Sequence, residues 1–378
     1  MAIADSYEKG KVLGSGTFGE VIEARHKETG EQVAIKKIRV EDKKQVRVFN
    51  ILNYNGLRYD WYQIDSGRSE EHFCSCQGVH VTALREVKYL KELHHPNIVN
   101  LIDVIPLKRG IALVFEYMQT DLENIIKDRT LVLSAADVKA YMQFMLRAVE
   151  HCHKCWVVHR DIKPNNFLIS GSGEIKLTDF GLARIYGSPE RRYTNQVFAR
   201  WYRAPELFYG STCYGPGVDI WALGCIFAEL LMRKPWFVGE SDVEVLSKIF
   251  AALGTPTDAE WAGLKYMPGF VAFQETKALP LVSQFPGIDH EAIDLLSRMV
   301  CLDPRKRITA SSALKHSYFK VKPAPTEASK LPRPHIKESH SRKRVNGEKM
   351  EDSGPSSKLA KLESEDPSVT ETLVKELF

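Results

Sequence analysis

The most informative stretch of this sequence is His159-Arg160-Asp161-Ile162-Lys163-Pro164-Asn165-Asn166. Asp179-Phe180-Gly181 and then Ala204-Pro205-Glu206 follow it along the chain. Each short motif alone can occur by chance. Together with two upstream motifs described below, they follow an order and spacing whose chance occurrence has a probability of no more than about a few per cent. The motifs therefore point to one shared chemistry.

The side chains in these motifs suit phosphoryl transfer. That reaction needs a carboxylate to orient the attacking hydroxyl and accept its proton, oxygen ligands for a metal ion, and little covalent assistance. Asp161 is predicted to be the carboxylate, and Asn166 and Asp179 are predicted to ligate Mg²⁺. Lys163 is predicted to lie near the γ-phosphate of ATP.

Two upstream motifs supply phosphate-binding groups. Gly14-Ser15-Gly16-Thr17-Phe18-Gly19-Glu20-Val21 lies between two strand-like runs, which predicts a flap that covers phosphates with backbone N–H groups rather than a dinucleotide-binding turn. Lys36 ends the run Val33-Ala34-Ile35-Lys36, the predicted third strand, from which it can reach the α- and β-phosphates of ATP. Its predicted carboxylate partner is Glu86, on the helical stretch Thr82–Leu93.

The apolar periodicity changes along the chain from a strand pattern to a helix pattern. Residues Tyr7–Val40 predict three strands, and Ile98–Ile105 and Ile111–Phe115 predict two more. Beyond Asp121 helical spacing dominates, and its main patterns cover Ala136–His153, Val218–Leu231 and Ala292–Met299. The sequence therefore predicts an α+β protein with a small β-rich lobe joined to a larger helical lobe.

Composition excludes several other classes of protein. The 378 residues are 44% hydrophobic and 26% charged, which is typical of a globular chain and not of a collagen-like or wholly disordered one. No apolar run approaches about 18 residues, and Met1–Lys11 has no apolar core, so we expect neither a membrane span nor a secretory signal. The net charge of +4 favours neither nucleic acid nor a membrane as the main partner, and the seven cysteines are expected to be free thiols.

Apart from one segment, residues Tyr7–Phe319 resemble a eukaryotic protein kinase of the cyclin-dependent class. Thr82-Ala83-Leu84-Arg85-Glu86 is similar to the TALRE sequence of the kinases that activate other cyclin-dependent kinases, in their plant-type form, and Gly187–Val197 resembles their activation segment. The resemblance implies the bilobal protein kinase fold. Its implied parts are an N-terminal extension at 1–6, an N-lobe at 7–117, a C-lobe at 118–319 and a disordered tail at 320–378.

The same resemblance implies where ATP binds. Phe115-Glu116-Tyr117-Met118 corresponds to the hinge, with Glu116 and Met118 offering backbone groups to adenine and Asp121 near the ribose. The residues implied to contact the nucleotide are Leu13, Gly14, Ser15, Gly16, Thr17, Phe18, Gly19, Val21, Ala34, Lys36, Phe115, Glu116, Met118, Asp121 and Leu168.

Regulation by phosphorylation is implied at Thr194, with Ser188 as a second candidate site. Arg85, Arg160 and Arg184 match the arginines that receive the phosphate carried by the threonine. A phosphate adds a charge of about −1.5 to −2 and can draw such side chains together, which orders the loop.

Other positions resemble substrate-binding or structural residues of the family. Arg203 corresponds to the arginine that shapes a pocket for proline, which implies Ser-Pro or Thr-Pro substrates. Phe198 and Ala199 depart from the valine and threonine that are common in the family. Glu206 and Arg307 are expected to form a buried ion pair.

The resemblance implies a Ser/Thr kinase that uses ATP and Mg²⁺ and needs a cyclin, of the cyclin H type, to place Glu86 against Lys36. It implies two groups of substrates, the activation loops of other cyclin-dependent kinases and the C-terminal domain of RNA polymerase II. An assembly factor of the ménage-à-trois type is a further implied partner. Two alternatives stay open: a cell-cycle kinase with other substrates, and a binding protein without catalytic activity.

One segment, Val46–Gln77, does not fit the family. Connections without secondary structure rarely exceed about 12–15 residues inside a compact domain, and joining Gln45 to Gly78 restores a family-like sequence. We interpret the segment as a translated intron. A genuine insert would instead lie where the cyclin should contact the helix of Glu86, and it would favour the inactive alternative.

The predicted tail contains a basic cluster, Arg342-Lys343-Arg344. Such a cluster is typical of a nuclear localisation signal, although a solvent-exposed run of charged residues has the same composition. We expect the protein in the nucleus and also in the cytoplasm.

Overall fold

The computed structural model describes residues 3–16, 19–39, 81–107, 110–187, 192–194 and 197–333. Several predictions fall outside these ranges: the interpretation of Val46–Gln77, the flap residues Thr17 and Phe18, the modification site Ser188, and the tail from residue 334. Among the described helices, none is both long and apolar enough to span a membrane.

The N-lobe is an antiparallel sheet packed against one main helix. Its elements are α1 (Ile3–Ser6), β1 (Tyr7–Gly16), β2 (Gly19–His26), β3 (Gln32–Arg39), α2 (Val81–Glu92), β4 (Leu101–Leu107) and β5 (Gly110–Glu116). Among the described residues the strands form a five-stranded sheet in the order β1-β2-β3-β5-β4. The small β-rich lobe predicted from the strand patterns is confirmed.

Alternation along β3 decides which face of the sheet its lysine occupies. Val33 and Ile35 belong to a small buried cluster on one face, whereas Ile38 belongs to the main core, together with Leu90 of α2. Successive side chains of a strand point to opposite faces, so Lys36 shares the face of Ile38 and is directed toward α2.

The C-lobe is helical, as predicted. In chain order its elements are β6 (Thr120–Asp121), α3 (Leu122–Lys127), α4 (Ala135–Lys154), β7 (Val157–Val158), β8 (Phe167–Ile169), β9 (Ile175–Leu177), β10 (Arg184–Ile185), α5 (Pro205–Phe208), α6 (Gly217–Met232), α7 (Asp242–Leu253), α8 (Leu281–Gln284), α9 (His290–Met299) and α10 (Ala310–Leu314). Strands β6, β8 and β9 form one small sheet, and β7 pairs with β10.

The central helix of this lobe is α6. Residues Val218–Leu230 are buried without interruption, which is typical of a helix that is apolar on all sides. Near its start, Arg307 donates to the two carboxylate oxygens of Glu206 at 2.8 and 3.0 Å, with both side chains almost fully buried. The predicted buried ion pair is therefore confirmed.

The chain does not become disordered at residue 320. Residues 320–333 pack along α4, where Lys139 Nζ donates to the carbonyl oxygens of Val321 and Pro323 at 2.7 and 2.9 Å. Leu331 is buried in the main core. The predicted tail boundary is wrong for this stretch, because contacts with a helix far away in sequence order it and composition does not reveal them.

Replacing Lys139 with methionine is expected to loosen residues 320–333. The change removes two hydrogen bonds from a charged donor and should lower the free energy of unfolding by about 1–3 kcal/mol. Chemical denaturation and limited proteolysis of this stretch measure the effect. Lys154→Met, at an exposed position of the same helix, is the matched control, and equal proteolysis of the two variants would contradict the assigned contact.

Candidate active site

Lys36 on β3 and Glu86 on α2 form a buried ion pair. Lys36 Nζ lies 2.9 Å from Oε1 and 2.8 Å from Oε2 of Glu86, and 3.6 Å from Oδ1 of Asp179. The structure therefore brings together the lysine and glutamate that the sequence analysis paired, with the aspartate of the Asp-Phe-Gly motif beside them.

Charge and burial act on this pair in opposite directions. Burial alone would lower the pKa of Lys36, but the carboxylates of Glu86 and Asp179 raise it above its ordinary value. Lys36 is therefore positively charged at neutral pH. Its ammonium group places a positive charge where the two lobes meet.

Asp161, Lys163 and Asn166 meet in the loop before β8. Lys163 Nζ lies 2.7 Å from Asp161 Oδ2, and Asn166 Nδ2 donates to the carbonyl oxygen and Oδ2 of Asp161 at 2.7 and 2.9 Å. Because the amide nitrogen of Asn166 is used in this way, its Oδ1 is the side-chain atom that can bind a cation. The loop thus fixes a carboxylate between a cation and an amide.

Asp179 and Asn166 offer the oxygen atoms that could hold a magnesium ion. Burial alone would raise the pKa of Asp179, but the charges of Lys36 and other nearby groups lower it below its ordinary value, so the side chain is ionised. A carboxylate and an amide oxygen are the ligand types that Mg²⁺ prefers.

Residues 159–166 carry the predicted catalytic side chains and are called the catalytic loop below. A buried carboxylate anchors this loop to α6. Asp219 Oδ2 accepts the backbone N–H of His159 at 2.9 Å, and its Oδ1 accepts that of Arg160 at 3.0 Å. His153 Nε2 also lies 3.0 Å from Asp219. Burial alone would raise the pKa of Asp219, but these partners lower it, so it remains a charged acceptor.

The nucleotide contacts implied by the resemblance lie on both sides of the hinge. Ala34 on β3 pairs with Phe115 on β5 in the N-lobe, and Asp121 on β6 pairs with Leu168 on β8 in the C-lobe. Asp121 also caps α3, because its Oδ1 accepts the backbone N–H of Asn124 at 2.8 Å. The chain between the two pairs of strands is the predicted hinge.

The two ends of the predicted flap lie on the paired strands β1 and β2. Gly14 pairs with Val21 across the β1–β2 hairpin. Gly19 has a φ of 142°, and a Cβ atom there would collide with the carbonyl oxygen of Lys37. Only glycine fits this close approach of β2 to β3.

The side chain of Glu116 joins the hinge to both lobes. Its Oε1 accepts the backbone N–H of Asn100 at 2.7 Å, and its Oε2 lies 2.7 Å from Nζ of Lys176 on β9. Only backbone groups of Glu116 were predicted to act at this site, and Lys176 was not among the predicted site residues. No local signal identifies Lys176, because its partner is distant in the sequence.

Two of the three predicted phosphate-receiving arginines converge on one carbonyl group. Arg160 Nε donates to the carbonyl oxygen of Leu182 at 2.8 Å, and a guanidinium nitrogen of Arg184 lies 3.5 Å from the same oxygen. Arg85 is buried on α2, which packs against the turn that contains Leu182. Thr194 is exposed.

Three non-glycine residues of the site have left-handed backbone conformations. The φ angles are 67° at Arg160, 65° at Asp179 and 68° at Phe198. Each conformation costs about 1–3 kcal/mol and persists where the surrounding contacts hold it, often at functional sites. Trp156 and Arg233 are the other described non-glycine residues with positive φ. Three of the five thus belong to the candidate site, which supports the site assignment independently of the residue types.

The turn at Phe198 places two carbonyl groups on Arg203. Arg203 Nε donates to the carbonyl oxygen of Val197 at 2.9 Å, and a terminal nitrogen donates to that of Phe198 at 3.3 Å. Asp242 on α7 lies 3.3 Å from the same guanidinium. Arg203, which was predicted to shape a pocket for proline, therefore holds the backbone of the turn at Phe198.

Comparison with known proteins gives concordant similarities. Residues 69–319 match the protein kinase domain family. The chain is 50% identical over 332 residues to Cyclin-dependent kinase D-1 of Oryza sativa subsp. indica, covering 88% of this chain and 71% of the relative. It is 44% identical over 331 residues to Cyclin-dependent kinase 7 of Xenopus laevis, covering 88% and 86% of the two chains.

A solved structure is similar as well. A chain of the CAK complex from Chaetomium thermophilum, bound to ATP-γ-S, matches with a TM-score of 0.75 and 38% sequence identity. The match covers 88% of this chain and 96% of that chain. At this identity the likeness extends beyond the fold.

Proposed function

Because the chain belongs to the cyclin-dependent kinases of the protein kinase family, we propose that it phosphorylates the activation loops of other cyclin-dependent kinases and the C-terminal domain of RNA polymerase II. It is a Ser/Thr protein kinase whose relatives imply a cyclin partner. The likeness to a chain of a CAK complex supports the kinase-activating part of this proposal.

One observation carries the kinase activity on which this proposal depends: the residues proposed to bind phosphate and to accept a proton are held in place by contacts with one another. Lys36 contacts both Glu86 and Asp179, and Asp161 contacts Asn166 in the adjoining loop. Burying charged groups costs free energy, and a buried ion pair often adds no net stability. A binding protein without catalytic activity would therefore gain nothing from holding these charged groups together.

The roles of the residues follow from their charges. Asp161 orients the acceptor hydroxyl and takes its proton, while Lys163 lies beside it and offsets the negative charge of the γ-phosphate. Lys36, held by Glu86, binds the α- and β-phosphates of ATP. The flap and hinge residues position the nucleotide so that donor and acceptor are aligned.

ATP is the phosphoryl donor, and ATP-γ-S in the solved relative supports this assignment. Asn166 and Asp179 are the proposed holders of Mg²⁺, which when bound neutralises the phosphate charges. For partners we propose a cyclin of the H type and an assembly factor of the ménage-à-trois type. The proposed location is the nucleus, with the cytoplasm as a second compartment.

A kinase assay of the full chain in complex with cyclin tests the substrates. We expect phosphate incorporation into a catalytically inactive cyclin-dependent kinase and into a peptide of the polymerase C-terminal repeats. Activity toward a generic Ser-Pro peptide alone would favour the cell-cycle alternative.

A second chain lacking residues 46–77 is assayed in parallel, because the segment lies between Lys36 and Glu86 in the sequence. Activity of both forms supports the proposal. Activity of the shortened form alone would mean that Val46–Gln77 disables the full chain, which is the binding-protein alternative.

A further inference from the structure

Tyr214 joins Arg160 to the backbone of Thr194. A guanidinium N–H of Arg160 donates to the Tyr214 hydroxyl oxygen at 2.8 Å, and that hydroxyl donates to the carbonyl oxygen of Thr194 at 2.6 Å. The three groups form a chain of hydrogen bonds that begins at a buried cation. Such chains polarise each bond in turn, and the charge at one end strengthens the donor at the other.

The hydroxyl of Tyr214 carries the proton that it needs to donate a hydrogen bond. Burial raises its pKa above the ordinary value, although the charges of Arg160 and Arg184 lower it in part. The group is therefore protonated at neutral pH and can donate to a carbonyl oxygen.

The neighbours of Thr194 are held by the same short stretch of chain. The backbone N–H of Tyr193 donates to the carbonyl oxygen of Thr212 at 2.8 Å, and the guanidinium of Arg192 lies 2.7 Å from Sγ of Cys213. Each of residues 192–194 of the activation segment therefore contacts one of the residues 212–214.

Residues 212–214 lie just before α6, the buried helix whose Asp219 holds the catalytic loop. Arg160 also belongs to that loop, and its guanidinium lies 5.8 Å from the centre of the Tyr193 ring. The rings of Tyr193 and Tyr214 are themselves 5.2 Å apart. These contacts therefore tether Tyr193 and Thr194 to Arg160 and to the stretch of chain that leads into the buried helix α6.

We propose that Tyr214 is a positioning residue that holds the Thr194 backbone at Arg160 before Thr194 is phosphorylated. The hydroxyl acts on the main chain and needs no phosphate, so it supports a basal activity of the unmodified enzyme. Once a phosphate is present it makes its own charge-assisted bonds to the arginines, and the tether becomes redundant. The inference rests on the proposed regulation through Thr194 and deepens it.

The test is a double comparison in the full chain bound to cyclin. Tyr214→Phe removes the hydroxyl and keeps the ring. In a Thr194→Val background, which cannot be phosphorylated, we expect it to lower kinase activity about tenfold. In the form phosphorylated at Thr194, verified by mass spectrometry, we expect a loss of less than about twofold.

Tyr186→Phe is the matched control. Its hydroxyl donates to the backbone carbonyl of His153 at 2.7 Å, which is in the same region but is not part of the hydrogen-bonded chain from Arg160 to Thr194. We expect equal, small effects of this change in both backgrounds. Equal losses of activity from Tyr214→Phe in both backgrounds would mean that Tyr214 has only a structural role. No loss of activity in the Thr194→Val background would mean that the hydroxyl does not position Thr194.

Hydrogen exchange separates this inference from the proposed function. Backbone amides near Thr194 should exchange about tenfold faster in unphosphorylated Tyr214→Phe than in the parent or in Tyr186→Phe. This readout needs no catalysis, so a chain that phosphorylates nothing would refute the proposed function and leave the tether to be judged by exchange. Unchanged exchange in Tyr214→Phe would overturn the tether even in a fully active kinase.

Discussion

Asp161→Asn is expected to lower kcat by about 10²–10⁴-fold while the affinity for ATP stays unchanged. Asparagine has nearly the same shape and offers an oxygen to Lys163, whose Nζ lies 2.7 Å from the aspartate. It cannot accept a proton from the attacking hydroxyl, so the loss should appear in the chemical step. Steady-state kinetics of the complex with cyclin, together with calorimetric titration of ATP, separates the two quantities.

The matched control is Asp258→Asn, at an exposed carboxylate that pairs with Lys265 at 2.8 Å far along the chain from the motifs. We expect this variant to have the kinetics of the parent. If Asp161→Asn kept more than about a tenth of the activity in a preparation free of other kinases, Asp161 would not have the proposed role.

Lys36→Met is expected to lower kcat by about 10²–10³-fold and the free energy of unfolding by about 3–5 kcal/mol. The change removes a cation from the phosphate site and leaves Glu86, which is 2% exposed, without its partner. A buried carboxylate with no counter-charge is costly, and Asp179 adds a repulsive charge. Kinase assays and chemical denaturation measure the two effects.

The stability loss in Lys36→Met should depend on pH. Burial already raises the pKa of Glu86 above its ordinary value, and removing Lys36 takes away the main influence that lowers it. A raised pKa in the folded state favours folding at low pH, so the gap between parent and variant should shrink as pH falls from about 8 toward about 5.

Lys37→Met is the control for the lysine. Lys37 is the next residue of β3 and contacts Glu20 at 3.3 Å in a partly exposed pair, which contributes little to stability. We expect near-parent stability and activity. Equal losses at the two positions would mean that Lys36 has no special place in the site.

The regular elements followed closely from local patterns. The prediction of a helix over Ala136–His153 compares with α4 at Ala135–Lys154, and Val218–Leu231 compares with α6 at Gly217–Met232. Apolar spacing over several turns leaves little freedom in such cases.

The strand predicted from Ile98 begins only at Leu101. Ile98 instead forms a bridge with Leu177 of the C-lobe. The strand begins later than predicted because Ile98 contacts the other lobe, and the spacing of apolar residues in the sequence carries no information on such a contact.

The catalytic motifs are equally local. Asp161, Lys163 and Asn166 are neighbours in sequence, so their meeting in one loop required only the loop itself. The pairing of Lys36 with Glu86 was also predicted from the sequence, because a lysine that binds phosphates needs a carboxylate partner and Glu86 lies on the predicted helix that follows.

Local sequence patterns were sufficient for the long helices, the order of the motifs and the identity of the charged groups, because periodicity and spacing are properties of neighbouring residues. Folding in three dimensions added the packing of residues 320–333 on α4, the contact of Lys176 with Glu116, the left-handed angles at Arg160, Asp179 and Phe198, and the hydroxyl of Tyr214 between an arginine and a carbonyl group. The hydrogen bonds in this set join groups that are far apart in the chain, and the left-handed angles persist only where the folded surroundings hold them, so no local pattern encodes either feature.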